Sequence, residues 1–174
     1  MAELPSAASP TNWGTKYNEF LSVNLSSAGK IEDLPYMKGA WYDVRAYGAT
    51  GDGATDDTAA IQAAADAAAG AVLFFPEPSV KWKVTEGINL SSNTTVVGTG
   101  YGCHCYIASS TNHEHFFEAA NKNYIYIKDI RFSTSKTVSL GAVRFDTCTN
   151  VGTSNLWADA ISDTTIEFDD CDRW

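Results

Sequence analysis

Two places in this 174-residue chain put reactive side chains at spacings that chemistry can use. The first is Asp146 with Asp169-Asp170. If their segments stack as neighbouring strands, Asp146 and Asp169 face each other at about 5 Å, the carboxylate separation of a retaining glycosidase. That chemistry also needs a carboxyl group of raised pKa, which two solvated carboxylates on a strand surface do not supply. The second place is Cys103-His104-Cys105 with His113-Glu114-His115. Alternate side chains of a strand share a side, so Cys103 goes with Cys105 and His113 with His115. Two thiolates and two imidazoles complete a tetrahedral zinc site. Cys-x-Cys is tighter than zinc-finger spacing, however, and thiols commonly serve as small core residues. The reading adopted is no catalytic residue, no metal and no cofactor, with substrate-binding residues unassigned. A metal held by Cys103, Cys105, His113 and His115 is kept as the alternative.

Both places need strands that stack, and the sequence repeats in a way that stacks them. Phe116 to Tyr124 aligns with Val143 to Val151, an offset of 27, and that segment with Ile166 to Trp174, an offset of 23. Asn93 to Val97 aligns with Asn123 to Ile127 at an offset of 30. Each offset suits one three-sided coil of a β-solenoid. Val143 and Phe145 alternate inward, as do Ile166 and Phe168, and Arg144 stacks outward on Glu167. Ile125 and Ile127, then Ile130 and Phe132, repeat the alternation around a corner at Lys128-Asp129. Cys148 and Cys171 extend the ladder.

The entry to this array is residues 42–76: a strand from Tyr42, a turn at Gly51-Asp52-Gly53, an alanine-rich helix from Thr58, and Val72-Leu73-Phe74-Phe75-Pro76. Thr55, Asp56 or Asp57 can cap the helix, and Gly70 can end it. Ile61, Ala64, Ala65 and Ala68 give it one small apolar face. This run resembles the opening of the pectate-lyase-3-type right-handed parallel β-helix, found in polygalacturonase-like glycosidases and bacteriophage tailspikes. The resemblance implies an all-β solenoid, with an N-terminal capping α-helix and a short helical extension before it. Polygalacturonase-like enzymes also carry a Gly-His-Gly, an Asn-Thr-Asp and an Arg-x-Lys, which are absent here, so only Asp169-Asp170 matches. The His113-x-His115 pair resembles that of trimeric phage fibres, where three copies surround a metal.

Residues 12–23, from Asn12-Trp13-Gly14 to Val23, look like N-terminal segments of phage tail proteins. Trp13, Tyr17, Phe20 and Leu21 fall at near-helical spacing, so a helix docked on its own β-helix is the alternative to a virion anchor. The expected organisation is residues 1–41 as extension, virion anchor and linker, and residues 42–174 as the start of a β-helix incomplete at its C-terminal end. A formal charge of -9 argues against nucleic-acid backbone as a partner, since neutralising phosphates takes clustered Lys and Arg. No apolar run is long enough to span a bilayer, and no signal peptide is visible. The implied protein is the virion-proximal part of a tailspike or tail fibre, assembled in the host cytoplasm. It would be a homotrimer that meets a tail docking protein and, through a distal region, a host-surface polysaccharide. The alternatives are a polysaccharide-degrading hydrolase or lyase with its catalytic turns beyond residue 174, and a bacterial surface adhesin. Trp41, Trp82 and Trp157 are expected in the core or a subunit interface.

Overall fold

In the computed structural model, residues 40–108, 115–134, 141–159, 161 and 165–171 are described. The helical segment expected within residues 11–25, and His113 and Glu114, lie outside them. Among the described residues eleven strands run in chain order: β1 (Trp41–Asp43), β2 (Val72–Phe74), β3 (Trp82–Val84), β4 (Ile88–Asn89), β5 (Thr95–Val97) and β6 (His104–Ile107), then β7 (His115–Ala120), β8 (Asn123–Thr134), β9 (Gly141–Asp146), β10 (Thr149–Asp159) and β11 (Ile166–Asp169). A 3-10 turn (Val44–Tyr47) and one α-helix, α1 (Thr58–Ala67), stand between β1 and β2.

Among the described residues all strand pairings are parallel, and they link each strand to its equivalent one coil later. The result is a right-handed parallel β-helix with three faces. Face A stacks β1, β2, β5 and the first halves of β8 and β10. Face B stacks β3, β6 and the second halves of β8 and β10. Face C stacks β4, β7, β9 and β11.

The inward rows are continuous apolar ladders. Leu73, Val96 and Ile127 pile up under face A, and Trp82, Cys105 and Phe132 under face B, each essentially without solvent contact. Under face C, Phe145 stacks on Phe168 with centroids 5.3 Å apart and rings 26° from parallel. The expected partners Val143 with Ile166 and Arg144 with Glu167 are in register.

Two expected registers are off by one. Val143 sits on Phe117, not Phe116, because Phe116 and Phe117 are both buried and the strict alternation breaks there. Thr95 sits on Tyr126, not Ile125, although the Asn93 N–H still donates to the Asn123 carbonyl at 2.9 Å. The extra residue is taken up at Tyr124, whose φ of 55° bends the incoming strand. A one-residue slip exchanges the two sides of a strand, which is why Tyr126 is outside.

The helix closes the first coil. Ile61, Ala64, Ala65 and Ala68 all enter the core, and small side chains let the helix lie close. Gln62 stands in for a missing strand beside β4: its Nε2 donates to the Asn89 carbonyl at 3.1 Å and its Oε1 accepts the Asn89 N–H at 2.9 Å. This satisfies one N–H and one carbonyl of an edge that would otherwise lack a partner. Of the capping candidates, Asp56 holds the first turn, accepting from Thr58 N at 3.1 Å. Asp57 is buried and ties down the preceding loop, accepting from Thr50 N at 2.8 Å and Gly51 N at 3.1 Å.

The corner between faces A and B tightens along the chain. Residues 75–81 and then 98–103 make it in the early coils, whereas Asp129 (φ 60°) and Asn155 (φ 48°) turn it as single left-handed residues inside β8 and β10. The two stack, with Asn155 Nδ2 donating to Asp129 Oδ1 at 2.9 Å. Asn and Asp are the non-glycine residues best suited to that conformation.

Candidate functional site

Face B carries the most chemically diverse outward surface. Because Cys103, Cys105 and Ile107 point inward, His104 and Tyr106 point out, and the same alternation on β8 and β10 exposes Arg131, Ser133, Trp157 and Asp159. His104, Arg131 and Trp157 form one row; Lys83, Tyr106, Ser133 and Asp159 form the next. Stacked coils place members of a row about 4.8 Å apart.

These side chains are tied to one another. The Arg131 guanidinium lies 4.5 Å over the Tyr101 ring while its Nε donates to Asp159 Oδ2 at 2.5 Å. Tyr101 meets Trp157 edge to face at 5.9 Å, and the Lys81 ammonium sits 3.5 Å over the Tyr106 ring. His104 Nε2 and Ser133 Oγ are 2.6 Å apart. Tyr101 and Trp157 nonetheless stay 54% and 36% exposed, so part of each ring is open to a ligand. Cation–aromatic contacts of this kind fix ring orientation before anything binds.

Burial, then the charges of Arg131 and Lys81, hold the His104 pKa below its ordinary value, against a weaker upward pull from Asp159. The folded state therefore takes up this proton less readily than the unfolded chain. Its contribution to stability is full above the unfolded value of about 6.5 and shrinks as pH falls through that value. The urea midpoint should drop between about pH 7.5 and 5.5, and drop less in His104→Gln. An identical drop in the variant would assign the effect to another group.

Face C carries a second group of charges. Arg144 Nη2 lies 3.6 Å from both Asp146 and Asp169, and its Nε is 3.7 Å from Glu167. His115 Nε2 is 3.3 Å from Glu167 Oε2, and the His115 N–H donates to Glu118 Oε1 at 3.2 Å. Asp146 and Asp169 do stack in register, but a guanidinium bridges them. The pair is thus tied to a cation between its members rather than set around open space for a sugar.

Of the alternative metal constellation, His113 lies outside the described residues, and Cys103, Cys105 and His115 are not brought together as a metal-holding group among the described ones. Cys103 and Cys105 are wholly inside the core, His104 faces out on Ser133, and His115 reaches Glu167. Burial pushes the Cys105 thiol well above its ordinary range, and the adjacent Cys103 adds to this. Metal ligation and alkylation both require the thiolate. Native alkylation should therefore label Cys171 first and leave Cys103 and Cys105 unlabelled until unfolding, as read by intact mass. Cys148 and Cys171 form a ladder of their own. Cys148 Sγ donates to the Ala119 carbonyl and Cys171 Sγ to the Phe145 carbonyl, each at 3.3 Å. Of the tryptophans, Trp82 is core, its Nε1 donating to the Pro76 carbonyl at 3.0 Å, whereas Trp41 and Trp157 stand on the surface of the chain.

An all-parallel three-faced coil with a helix closing its first turn defines a pectate-lyase-like β-helix. Residues 41–171 match the rhamnogalacturonase A/epimerase, pectate lyase-like family, and the chain belongs to it. Among curated proteins, mannuronan C5-epimerase AlgE5 of Azotobacter vinelandii is 41% identical over 71 residues, covering 35% of this chain and 7% of the epimerase. Alginate lyase 7 of the same organism is 42% identical over 71 residues, covering 35% of this chain and 8% of the lyase. The chain thus spans less than a tenth of the length of these relatives. Among solved structures, the A-module of A. vinelandii mannuronan C-5 epimerase AlgE6 superposes with a TM-score of 0.60 at 21% identity, over 75% of this chain and 40% of that one. ORF18 of Geobacillus virus E2 gives a TM-score of 0.56 at 24% identity, over 67% of this chain and 25% of that one. These two likenesses establish the fold.

Proposed function

We propose that this chain is part of a phage tailspike or tail fibre whose β-helix engages a host-surface polysaccharide, with residues 1–41 as virion anchor and linker. The observation that carries the reading is face B, where Tyr101, Tyr106 and Trp157 stand beside Arg131 and Lys81 on a stiff sheet. Sugar rings offer apolar faces to aromatic side chains and hydroxyls to polar ones, and a flat outward surface suits a long polymer better than a small molecule. The resemblance of residues 12–23 to phage tail segments supports the virion assignment, and the viral source of one structural neighbour is in keeping with it. Three copies in one fibre would share effective concentration along a repetitive glycan.

Affinity electrophoresis in gels cast with bacterial surface polysaccharides tests the binding. At least one polysaccharide should retard the chain, and the Tyr101→Ala/Trp157→Ala double variant should lose about tenfold in affinity, at roughly 1–1.5 kcal/mol for ring contacts. Equal retardation of the double variant would remove face B from the reading. Deleting residues 1–25 should abolish incorporation into particles, and light scattering should give three copies.

A second reading, an epimerase or lyase acting on a polyuronate, is favoured by the identity to mannuronan C5-epimerase and by the grouping of His115, Arg144 and Glu167 on face C. Unsaturated products or altered uronate composition, both lost in Arg144→Gln, would establish it over the binding role.

A further inference from the structure

We infer that Cys148 and Cys171 form a redox-responsive staple, two thiols that a small oxidising disulfide converts to one internal disulfide joining the coils of β9 and β11. The staple does not depend on the glycan reading of face B. Asp146 pairs with Asp169, and two residues further on, at the same place in consecutive coils, stand the two cysteines. The residue before each is left-handed, Thr147 at φ 52° and Asp170 at φ 47°, so both side chains leave the corner in the same way. Each thiol donates to the carbonyl two residues back, Cys148 to Asp146 at 3.3 Å and Cys171 to Asp169 at 3.2 Å. The Cys148 N–H donates to Cys171 Sγ at 3.2 Å. Burial raises the Cys148 thiol pKa, and the Cys171 thiol beside it, close enough to hydrogen-bond, raises it further.

Stacked coils lie about 4.8 Å apart, and a disulfide joins Cα atoms about 4.4–6.8 Å apart whose side chains do not diverge. Closing the bond gives up only the weak S–H hydrogen bonds that hold the thiols. Access is graded. Cys148 has no solvent contact, whereas Cys171 is partly exposed, so an oxidant meets Cys171 first. The Cys171 sulfur attacks the small disulfide, whose S–S bond breaks; one small thiolate leaves with the Cys171 proton, and a mixed disulfide forms. The Cys148 sulfur then attacks Cys171 Sγ, and the second small thiolate leaves with the Cys148 proton. Two cysteine thiols are oxidised and one small disulfide is reduced to two thiols. Contact distance supplies an effective concentration that offsets the low thiolate fraction of a buried thiol. Cys103 and Cys105, both without solvent contact, have no exposed partner to relay the oxidant among the described residues. The consequence falls on β11, which is four residues long and pairs only with β9 among the described strands. A bond at its exit corner ties this coil down where thiols are scarce and releases it where they abound.

The test incubates the full chain, reduced and freed of reductant, in oxidised glutathione without denaturant, followed by an acid quench. Intact mass should fall by about 2 Da, for the two hydrogens lost. Chymotrypsin cuts between the two cysteines, after Trp157 and Phe168, and should release their peptides joined, with Cys103 and Cys105 still open to alkylation in urea. Cys148→Ser should instead trap glutathione on Cys171, and Cys171→Ser should leave Cys148 unmodified. The oxidised chain should have a higher urea midpoint and resist proteolysis about tenfold longer than the reduced one, as a closed loop constrains the opened coil. Cys171→Ser should behave alike in both conditions. A lasting glutathione adduct on Cys171 of the unaltered chain, with no joined peptides, overturns the staple. So do joined peptides that form only in urea or between two chains. Joined peptides with an unchanged urea midpoint and unchanged proteolysis overturn the clamping of β11.

Discussion

Phe145→Ala should cost about 3–5 kcal/mol of stability, because a fully buried aromatic ring is removed and the two neighbouring coils cannot close on the space. Phe145 has no solvent contact and lies between Ala119 of one coil and Phe168 of the next. Backbone hydrogen bonds fix the spacing of the coils, so collapse would have to break pairing along face C. Phe168 is only partly covered, and Phe168→Ala should cost less, about 1–2 kcal/mol. Urea unfolding of both variants provides the measurement. Losses below about 1 kcal/mol for Phe145→Ala would put the ring on the outside of the sheet.

Gly98→Ala should be nearly as damaging, at about 3 kcal/mol, through crowding alone. A Cβ at this position would stand 2.2 Å from the Asp129 carbonyl oxygen and 2.7 Å from Ile130 Cγ1. The first obstacle is backbone, and it is held: the Gly98 N–H donates to the Lys128 carbonyl at 3.0 Å, and Asp129 is fixed in its left-handed corner. Gly48→Ala makes the control, since space around Gly48 is open and only its φ of 101° resists a side chain. A smaller loss for Gly98→Ala than for Gly48→Ala would mean that the corner slides freely.

Local patterns were legible wherever a short stretch settles its own geometry. The alternation of Val143, Phe145, Ile166 and Phe168 and the apolar face of α1 needed no distant information. Registers between coils were harder, because Phe116-Phe117 and the bend at Tyr124 each consume a residue in ways that period-2 counting does not register. Face B was missed for that reason. Cys103 to Ile107 already announces that His104 and Tyr106 share a side, but nothing local says that Arg131 and Trp157 arrive beside them. The carboxylate pair Asp146 and Asp169 was legible as a stack, whereas the guanidinium that bridges it follows from side-chain reach rather than from spacing.

The uniform parallel pairing also governs how the molecule would respond to force. Its strand-to-strand hydrogen bonds point along the axis of the coil, so a pull along that axis loads a whole coil interface at once. The interface between β8 and β10 is long and pairs on both sides of the corner, where the side-chain hydrogen bond of Asn155 to Asp129 bridges the gap in the ladder. Rupture there requires both faces to part together, whereas the short contacts of β4 with β7 and of β1 with β2 can be peeled within one face. Under tension such a filament would yield from its helix-capped end, one coil at a time, with the long-stranded coils giving way last.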